Sequence, residues 1–141
     1  MRLSKIIEGY NGIEIACEGE WEREIADIAS DSREVKANSL FFCLKGNDAD
    51  GHAYAEEAVK MGAIAVVAER KLSVSVPQII VKDTRDALGI IASVFFGNPS
   101  DFVKVIGITG TNGKTTTSYM LASILRESGK KTGVIGTLGV T

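Results

Sequence analysis

Apolar and polar positions along this chain fall into short blocks separated by Gly, Asn, Asp and Pro. The blocks switch between a helical spacing and a strand spacing. Residues 3–8 (LSKIIE) predict a short helix with Ser4 as its cap and Gly9 as its end. Gly12 to Cys17 alternates as a strand does, Glu18 to Arg23 is polar apart from Trp21, and Ile25 to Ile28 predicts a second strand. That strand runs into Ala29-Ser30-Asp31-Ser32-Arg33, a polar stretch of the kind found at loop ends. After a turn at Lys36–Ser39, Leu40 to Leu44 (LFFCL) is wholly apolar and predicts a strand buried on both faces. A loop follows from Lys45 to His52, rich in residues that accept unusual backbone angles. Ala53 to Met61 carries apolar positions at 55, 58, 59 and 61, a helical pattern closed by Gly62. Strands are expected at 63–68 and 78–81. A helix is expected from Thr84, as its cap, to about Phe96, with Leu88, Ile91, Ala92 and Phe95 on one face.

Gly97-Asn98-Pro99-Ser100 is the clearest boundary in the chain, combining helix stop, turn and proline. Beyond it, the β-branched run Val103–Ile108 predicts a strand and Thr109–Gly113 a turn. A helix is expected from about Thr115 to Ser128, closed by Gly129 with Lys130-Lys131 at its negative end, and a further strand at 132–137. Helices between apolar strands predict an α/β fold. The expected organisation is a domain over residues 1–98 and, from 99 to 141, the opening strand–loop–helix–strand unit of a second domain. Two strands and one helix cannot cover a sheet that needs helices on both faces, so the expectation is that 99–141 opens a domain this chain does not finish.

The turn at 109–113 carries the most specific chemistry. Gly110 and Gly113 allow a sharp bend and a close approach to a ligand. The helix that follows presents unpaired N–H groups and the positive end of its dipole to an anion. Thr111 and Asn112 complete the loop, Lys114 can set a charge on terminal phosphates, and Thr115 can ligate a phosphate-bound magnesium. The spacing departs from G-x-x-x-x-G-K-[ST], since position 108 is Ile; the loop here is the shorter G-x-x-G-K-T-T. The plainer alternative is a strand-to-helix turn with a helix-starting threonine, and Thr117 is read as that kind of structure.

Composition narrows the classes further. The chain has 141 residues, 45% of them hydrophobic, 24% charged, with net charge −2. A core is available, there is no basic excess to suggest a nucleic-acid surface, and the balance is typical of a cytoplasmic protein. No apolar run is long enough to span a bilayer, so no membrane insertion is expected. Cys17 and Cys43, the two cysteines, are read as small core residues. His52 is the single histidine and a tempting catalyst, but its place before a helix after Asp50-Gly51 favours a capping or bracing role. Asp31 and Arg33 can touch substrate or pair with each other to orient the Ser32 loop. Glu56, Glu57 and Lys60 read as a solvated helix face.

Three stretches together resemble the Mur ligases, the ATP-dependent amide-forming enzymes of peptidoglycan assembly. They are GTNGKTTT at 110–117, Asp31-Ser32-Arg33 with Ser39-Leu40-Phe41-Phe42, and Asp50-Gly51-His52-Ala53-Tyr54 with Gly62–Val67. Val81-x-Asp83-x-Arg85-x-Ala87-Leu88 and Ile135-Gly136-Thr137 are most similar to members that add the third amino acid, diaminopimelate or lysine, to a UDP-N-acetylmuramoyl-dipeptide. The resemblance implies an N-terminal unit that binds the UDP end of the substrate and a central ATPase domain. It places Ser30 and Ser32 by the uridine or its phosphates, and Gly46, Asn47, Asp48 and Ala49 along the same pocket. It places Gly110, Thr111, Asn112, Gly113, Lys114, Thr115 and Thr116 around ATP, with Lys114 on the γ-phosphate and Thr115 on Mg2+. Asp48 departs from what a UDP-facing loop favours and must point away or meet a ribose hydroxyl. The family's amino-acid pocket and further metal ligands are expected beyond Thr141, so ligase activity is expected of a longer parent and not of this chain alone. Three other readings stay open: the ligase that adds D-alanyl-D-alanine, a non-catalytic UDP-sugar-peptide binding module, and an unrelated small P-loop ATPase or kinase.

Overall fold

The computed structural model describes residues 1–10, 13–16, 19–46 and 49–141. The expectations for Cys17, Asn47 and Asp48 lie outside the described residues. The chain divides into two compact units, Met1–Phe102 and Val103–Thr141.

The first unit contains α1 (Leu3–Gly9), β1 (Ile13–Ala16), β2 (Asp27–Ala29), β3 (Ser39–Phe42), α2 (Ala55–Met61), β4 (Ala63–Ala68), β5 (Gln78–Val81) and α3 (Thr84–Phe95). The strands form one sheet in the order β1-β5-β4-β3-β2. β2 to β5 run parallel, and β1 lies antiparallel on β5 at one edge. β3 and β5 are buried at every position, as a strand covered on both faces must be. On one face, Leu40 and Phe42 of β3, Val67 of β4 and Ile79 and Val81 of β5 meet Leu3 and Ile6 of α1 and Ala87 and Ile91 of α3. On the other, Phe41, Cys43, Val66 and Ile80 meet Ala55 and Ala58 of α2. Successive side chains of β3 therefore feed opposite cores, the consequence of its period of two. The fold is α/β, as the alternation of blocks predicts.

Several local expectations shift, each for a visible reason. Ser4 does not cap α1; the first N–H groups of that helix, on Leu3 and Ser4, donate to the carbonyls of Arg23 and Trp21, both at 2.9 Å. β2 begins at Asp27 and not at Ile25, because Ile25 exchanges backbone hydrogen bonds with Met1 at 2.7 and 2.9 Å. The helix expected from Ala53 opens as a single 3-10 turn over Gly51–Tyr54 and becomes α-helical at Ala55. Thr84 is not the cap of α3. Asp83 caps it, accepting from the N–H groups of Arg85 and Asp86 at 2.8 and 3.1 Å, while Thr84 is buried.

The second unit contains α4 (Lys114–Glu127), β6 (Ile135–Gly136) and β7 (Gly139–Val140). The strand expected over 103–108 is not formed. A parallel strand needs a hydrogen-bonding neighbour, and the described residues of this unit offer it none. Val103, Val105 and Ile106 are exposed instead. The strand expected over 132–137 contributes only Ile135–Gly136, which pairs antiparallel with Gly139–Val140 around a two-residue turn. Val134 and Thr141 extend that hairpin with two reciprocal backbone bonds at 2.9 and 3.0 Å. Closing so short a loop has a small entropic cost compared with bringing 135 to the run at 103.

Candidate functional site

Two groups of candidate residues emerge, one in each unit. In the second unit, Gly110 has φ +149° and Gly113 has φ +76°, and Gly113 is the N-cap of α4. A Cβ on Gly113 would meet nothing within 4 Å, so glycine is favoured there by its backbone angle and not by space. No side chain caps α4. Its first turn therefore keeps free N–H donors and the positive end of a 14-residue helix. Lys114 folds back so that Nζ donates to the Gly110 carbonyl at 2.6 Å, which holds its charge over the loop. Thr115 and Thr116 are exposed in the same turn, and no hydrogen bond engages the Thr115 hydroxyl among the described residues. A free hydroxyl one residue after the lysine fits one ligand of a magnesium whose other ligands are phosphate oxygens and water. Among the described residues no cluster of three His, Cys, Asp or Glu side chains could hold a metal without such help.

In the first unit, the candidate residues follow the C-terminal ends of adjacent parallel strands, the edge where open α/β sheets bind ligands. Ser30 and Ser32 follow β2; Gly46 and Ala49 follow β3. Ser30 is exposed, whereas Ser32 is buried and donates to Glu57 Oε2 at 3.3 Å. Glu57 is thus more than a solvated face. Asp31 caps the 3-10 turn Ser32–Glu34 and accepts from Arg33 Nε at 2.9 Å, so the acid and base orient the Ser32 loop. The Arg33 guanidinium holds the Asp31 carboxyl at about 2.

The loop after β3 is bonded across its own neck. Gly46 N–H donates to the Ala49 carbonyl and Gly51 N–H to the Leu44 carbonyl, both at 2.8 Å. Its far end is fixed by His52, which braces the loop and does not face an open site. The His52 ring is fully buried; Nε2 accepts from the Glu69 N–H at 2.9 Å, which leaves the ring proton on Nδ1, 2.5 Å from Asp50 Oδ1. Asp50 also accepts from Arg70 at 2.9 Å. The Arg70 guanidinium, then His52, keep the Asp50 carboxyl well below the usual carboxylate range. Glu69 is lowered too, chiefly by the Lys45 ammonium.

These depressed carboxylates set a pH dependence. A group whose folded pKa is lowered contributes stability above its unfolded pKa, about 4, and loses it as pH falls through the folded value. The urea midpoint of the first unit is therefore expected to be flat between about pH 5 and 8 and to fall steadily toward pH 2. In Asp50→Asn the decline is expected to be shallower. An equal pH slope in the two proteins would show that the Asp50 pairings do not contribute.

Comparison with known proteins places the chain. Residues 24–96, more than half of the chain, match the profile described as Mur ligase family, catalytic domain. The chain belongs to the Mur ligase family. Residues 108–141 match the Mur ligase middle domain. A UDP-N-acetylmuramoyl-L-alanyl-D-glutamate–2,6-diaminopimelate ligase of Geobacillus thermodenitrificans is 52% identical over 116 residues, covering 82% of this chain and 24% of that protein. The solved structure of a ligase of that same name superposes with TM-score 0.76 at 29% identity, over 100% of this chain and 28% of its own. The MurF ligase of Thermotoga maritima, solved in complex with ADP, gives TM-score 0.60 at 37% identity, over 72% of this chain and 23% of its own. The chain thus spans about a quarter of the length of these Mur ligases.

Glu69, Arg70 and Thr84 escaped the reading of candidate residues. The signal was present in the sequence. Glu69-Arg70 abruptly ends the apolar run 63–68, and Asp83-Thr84-Arg85 follows the run 78–81, so both sit where parallel strands deliver functional side chains.

Proposed function

We propose that this Mur ligase chain supplies the UDP-binding unit and the nucleotide loop of an ATP-dependent ligase that joins diaminopimelate to UDP-N-acetylmuramoyl-L-alanyl-D-glutamate. The name shared by relatives about half identical to the chain supports the substrate assignment. The single structural observation that carries the chemistry is the start of α4. There a glycine in the left-handed region, a lysine folded over the loop and two free hydroxyl residues meet at a helix end that no side chain caps. By contrast, the carboxylate of Asp83 caps α3 and that of Asp50 caps the turn leading into α2, so those ends are already neutralised.

In this reading residues 1–98 form the substrate domain and the ATPase domain starts at 99. Ser30, Ser32, Gly46, Asn47, Asp48 and Ala49 line the UDP end. Gly110, Thr111, Asn112, Gly113, Lys114, Thr115 and Thr116 hold ATP, with Thr115 on magnesium. The reaction takes place in the cytoplasm, where ATP and the UDP-linked precursor are both at hand. A carboxylate is a poor electrophile, so amide formation requires its phosphorylation by ATP, with ADP as the leaving group; the amine of the incoming amino acid then attacks the acyl phosphate, giving up a proton as phosphate leaves. The protein contributes positioning and charge neutralisation. Lys114 exchanges its bond to the Gly110 carbonyl for the γ-phosphate, and magnesium would neutralise charge developing on the phosphate oxygens.

A second reading, the ligase that adds D-alanyl-D-alanine to the tripeptide, has the likeness to MurF in its favour. Calorimetry separates these. The 1–141 chain is expected to bind Mg-ATP, and Lys114→Ala to weaken it about ten- to hundredfold, the loss of one charge-assisted hydrogen bond. UDP-muramoyl dipeptide is expected to bind more tightly than UDP-muramoyl tripeptide. Mg-ATP affinity unchanged by Lys114→Ala overturns the nucleotide loop, and a preference for the tripeptide overturns the choice of substrate.

A further inference from the structure

Glu69 touches the segments that follow three neighbouring parallel strands. It stands at the end of β4, one residue past Ala68, with its side chain largely buried. Its Oε1 accepts from the Thr84 N–H at 3.2 Å and the Thr84 hydroxyl at 3.1 Å, beyond β5. Its Oε2 pairs with the Lys45 ammonium, beyond β3. Its own N–H donates to His52 Nε2, at the far end of the same loop. Arg85 adds a second hold, donating to the Lys45 carbonyl at 2.7 Å. The same Thr84 hydroxyl lies 3.2 Å from the Cys43 carbonyl, so its one proton is shared between Glu69 and the root of the loop. On the other side Asp50 is held by Arg70 and His52.

These bonds converge on one object. Lys45 is held by Glu69, the residue after β4, and by Arg85 in the first turn of α3; across the loop Asp50 is held by Arg70, also just past β4, and by His52. Neither β4 nor α3 contributes a residue to the UDP-end candidates themselves. Lys45, adjacent to Gly46, has its charge engaged by Glu69. An ion pair holding an exposed lysine on a glycine-containing loop adds little stability in itself. Its larger effect is to reduce the conformational freedom the loop loses when a ligand is seated.

We propose that Glu69 and Arg85 are positioning residues that hold the flanks of the 45–50 loop in the shape that receives the UDP end of the substrate. This rests on the reading of Gly46 and Ala49 as substrate-lining. Glu69→Gln keeps an acceptor for Thr84 and puts an amide NH2, which cannot accept, in place of the oxygen that engages Lys45. Arg85→Met removes the guanidinium and leaves the backbone N–H on its Asp83 cap.

The test uses the full 1–141 chain and the probe UDP-N-acetylmuramoyl-L-alanyl-D-glutamate in calorimetry at low salt, with Mg-ATP titrated in parallel. Glu69→Gln is expected to weaken the UDP probe about five- to tenfold and Arg85→Met about threefold, with Mg-ATP affinity unchanged and each variant still unfolding in one cooperative urea transition. Lys45→Met combined with Glu69→Gln is expected to cost no more than the larger single change, because both remove the same pair. Wild-type binding with both single variants within twofold of it overturns the positioning role, as does full additivity in the double variant. Failure of the wild type to bind the UDP probe overturns the substrate reading, and the positioning role with it.

Discussion

Replacing Phe42 with alanine is expected to destabilise the first unit by about 3–5 kcal/mol, the range for deleting a buried phenylalanine side chain. Phe42 is fully buried on an interior strand of the sheet, in the cluster that α1 and α3 cover together. Leu40, Val67, Ile79 and Val81 belong to strands whose ladders fix their positions, and Ala87 and Ile91 belong to a helix capped by Asp83. Limited relaxation places the expected cost toward the upper end of the range. Single domains have only about 5–15 kcal/mol in total, so this one change removes a large share. Trp21, the single tryptophan, packs against the same cluster and gives a fluorescence signal for a urea titration.

Phe41 supplies the control. It is equally buried but faces the opposite cluster, against α2. Phe41→Ala is expected to cost a similar amount, and the two changes to be close to additive, because they open cavities on opposite sides of one sheet. Strong coupling between them would mean that the two cores are not separated by β3 as described. A cost below about 1 kcal/mol for Phe42→Ala would mean that the strand is not in the centre of the fold.

The unbroken apolar run at 40–44 announced that burial, and the runs at 63–68 and 78–81 announced their strands within a residue, because a strand covered on both faces needs no polar position at all. What the sequence hid was decided by partners far along the chain. Ile25 looks like the start of β2, yet its N–H goes to Met1. Thr84 looks like a cap, yet its hydroxyl goes to Cys43, 41 residues away, and the adjacent aspartate takes the helix end. The run 103–108 has every local mark of a strand, but β structure is a property of pairs, and local propensity supplies only one member. The turn into α4 was legible because its constraints are local: two glycine angles, one lysine and one helix start lie within six residues. The clamp around 45–50 was not, because Glu69, Arg70 and Arg85 act across three strand ends that only the fold brings together.

Gly51→Ala is expected to destabilise the first unit by about 3 kcal/mol, the upper part of the overpacking range, and to weaken UDP-muramoyl dipeptide at the same time. The middle residue of Asp50-Gly51-His52 has no left-handed backbone angle to explain it. Space does. A Cβ there would lie 2.5 Å from the Leu44 carbonyl oxygen, 2.7 Å from the Leu44 nitrogen and 3.1 Å from the Cys43 carbonyl carbon. All three atoms are backbone, so no rotamer change relieves the clash. The Gly51 N–H bonds that same Leu44 carbonyl at 2.8 Å, which is the contact that closes the neck of the 45–50 loop. Adding one methyl group forces the two flanks apart, breaks that bond and drags Asp50 and His52 from Arg70 and Glu69. The proposed nucleotide loop at 110–116 has none of these contacts, so Mg-ATP affinity is expected to stay within twofold of wild type. Gly89→Ala serves as the matched comparison. Gly89 lies inside α3, has no positive φ, and a Cβ on it would meet nothing within 4 Å. That substitution is expected to stabilise by about 0.5–1 kcal/mol through helix propensity and a less flexible unfolded chain. The same glycine-to-alanine change should thus have opposite signs at two positions of one unit, read in one set of urea titrations. A neutral Gly51→Ala would mean that the neck of the loop is open and that the Leu44–Gly51 contact does not shape the substrate end.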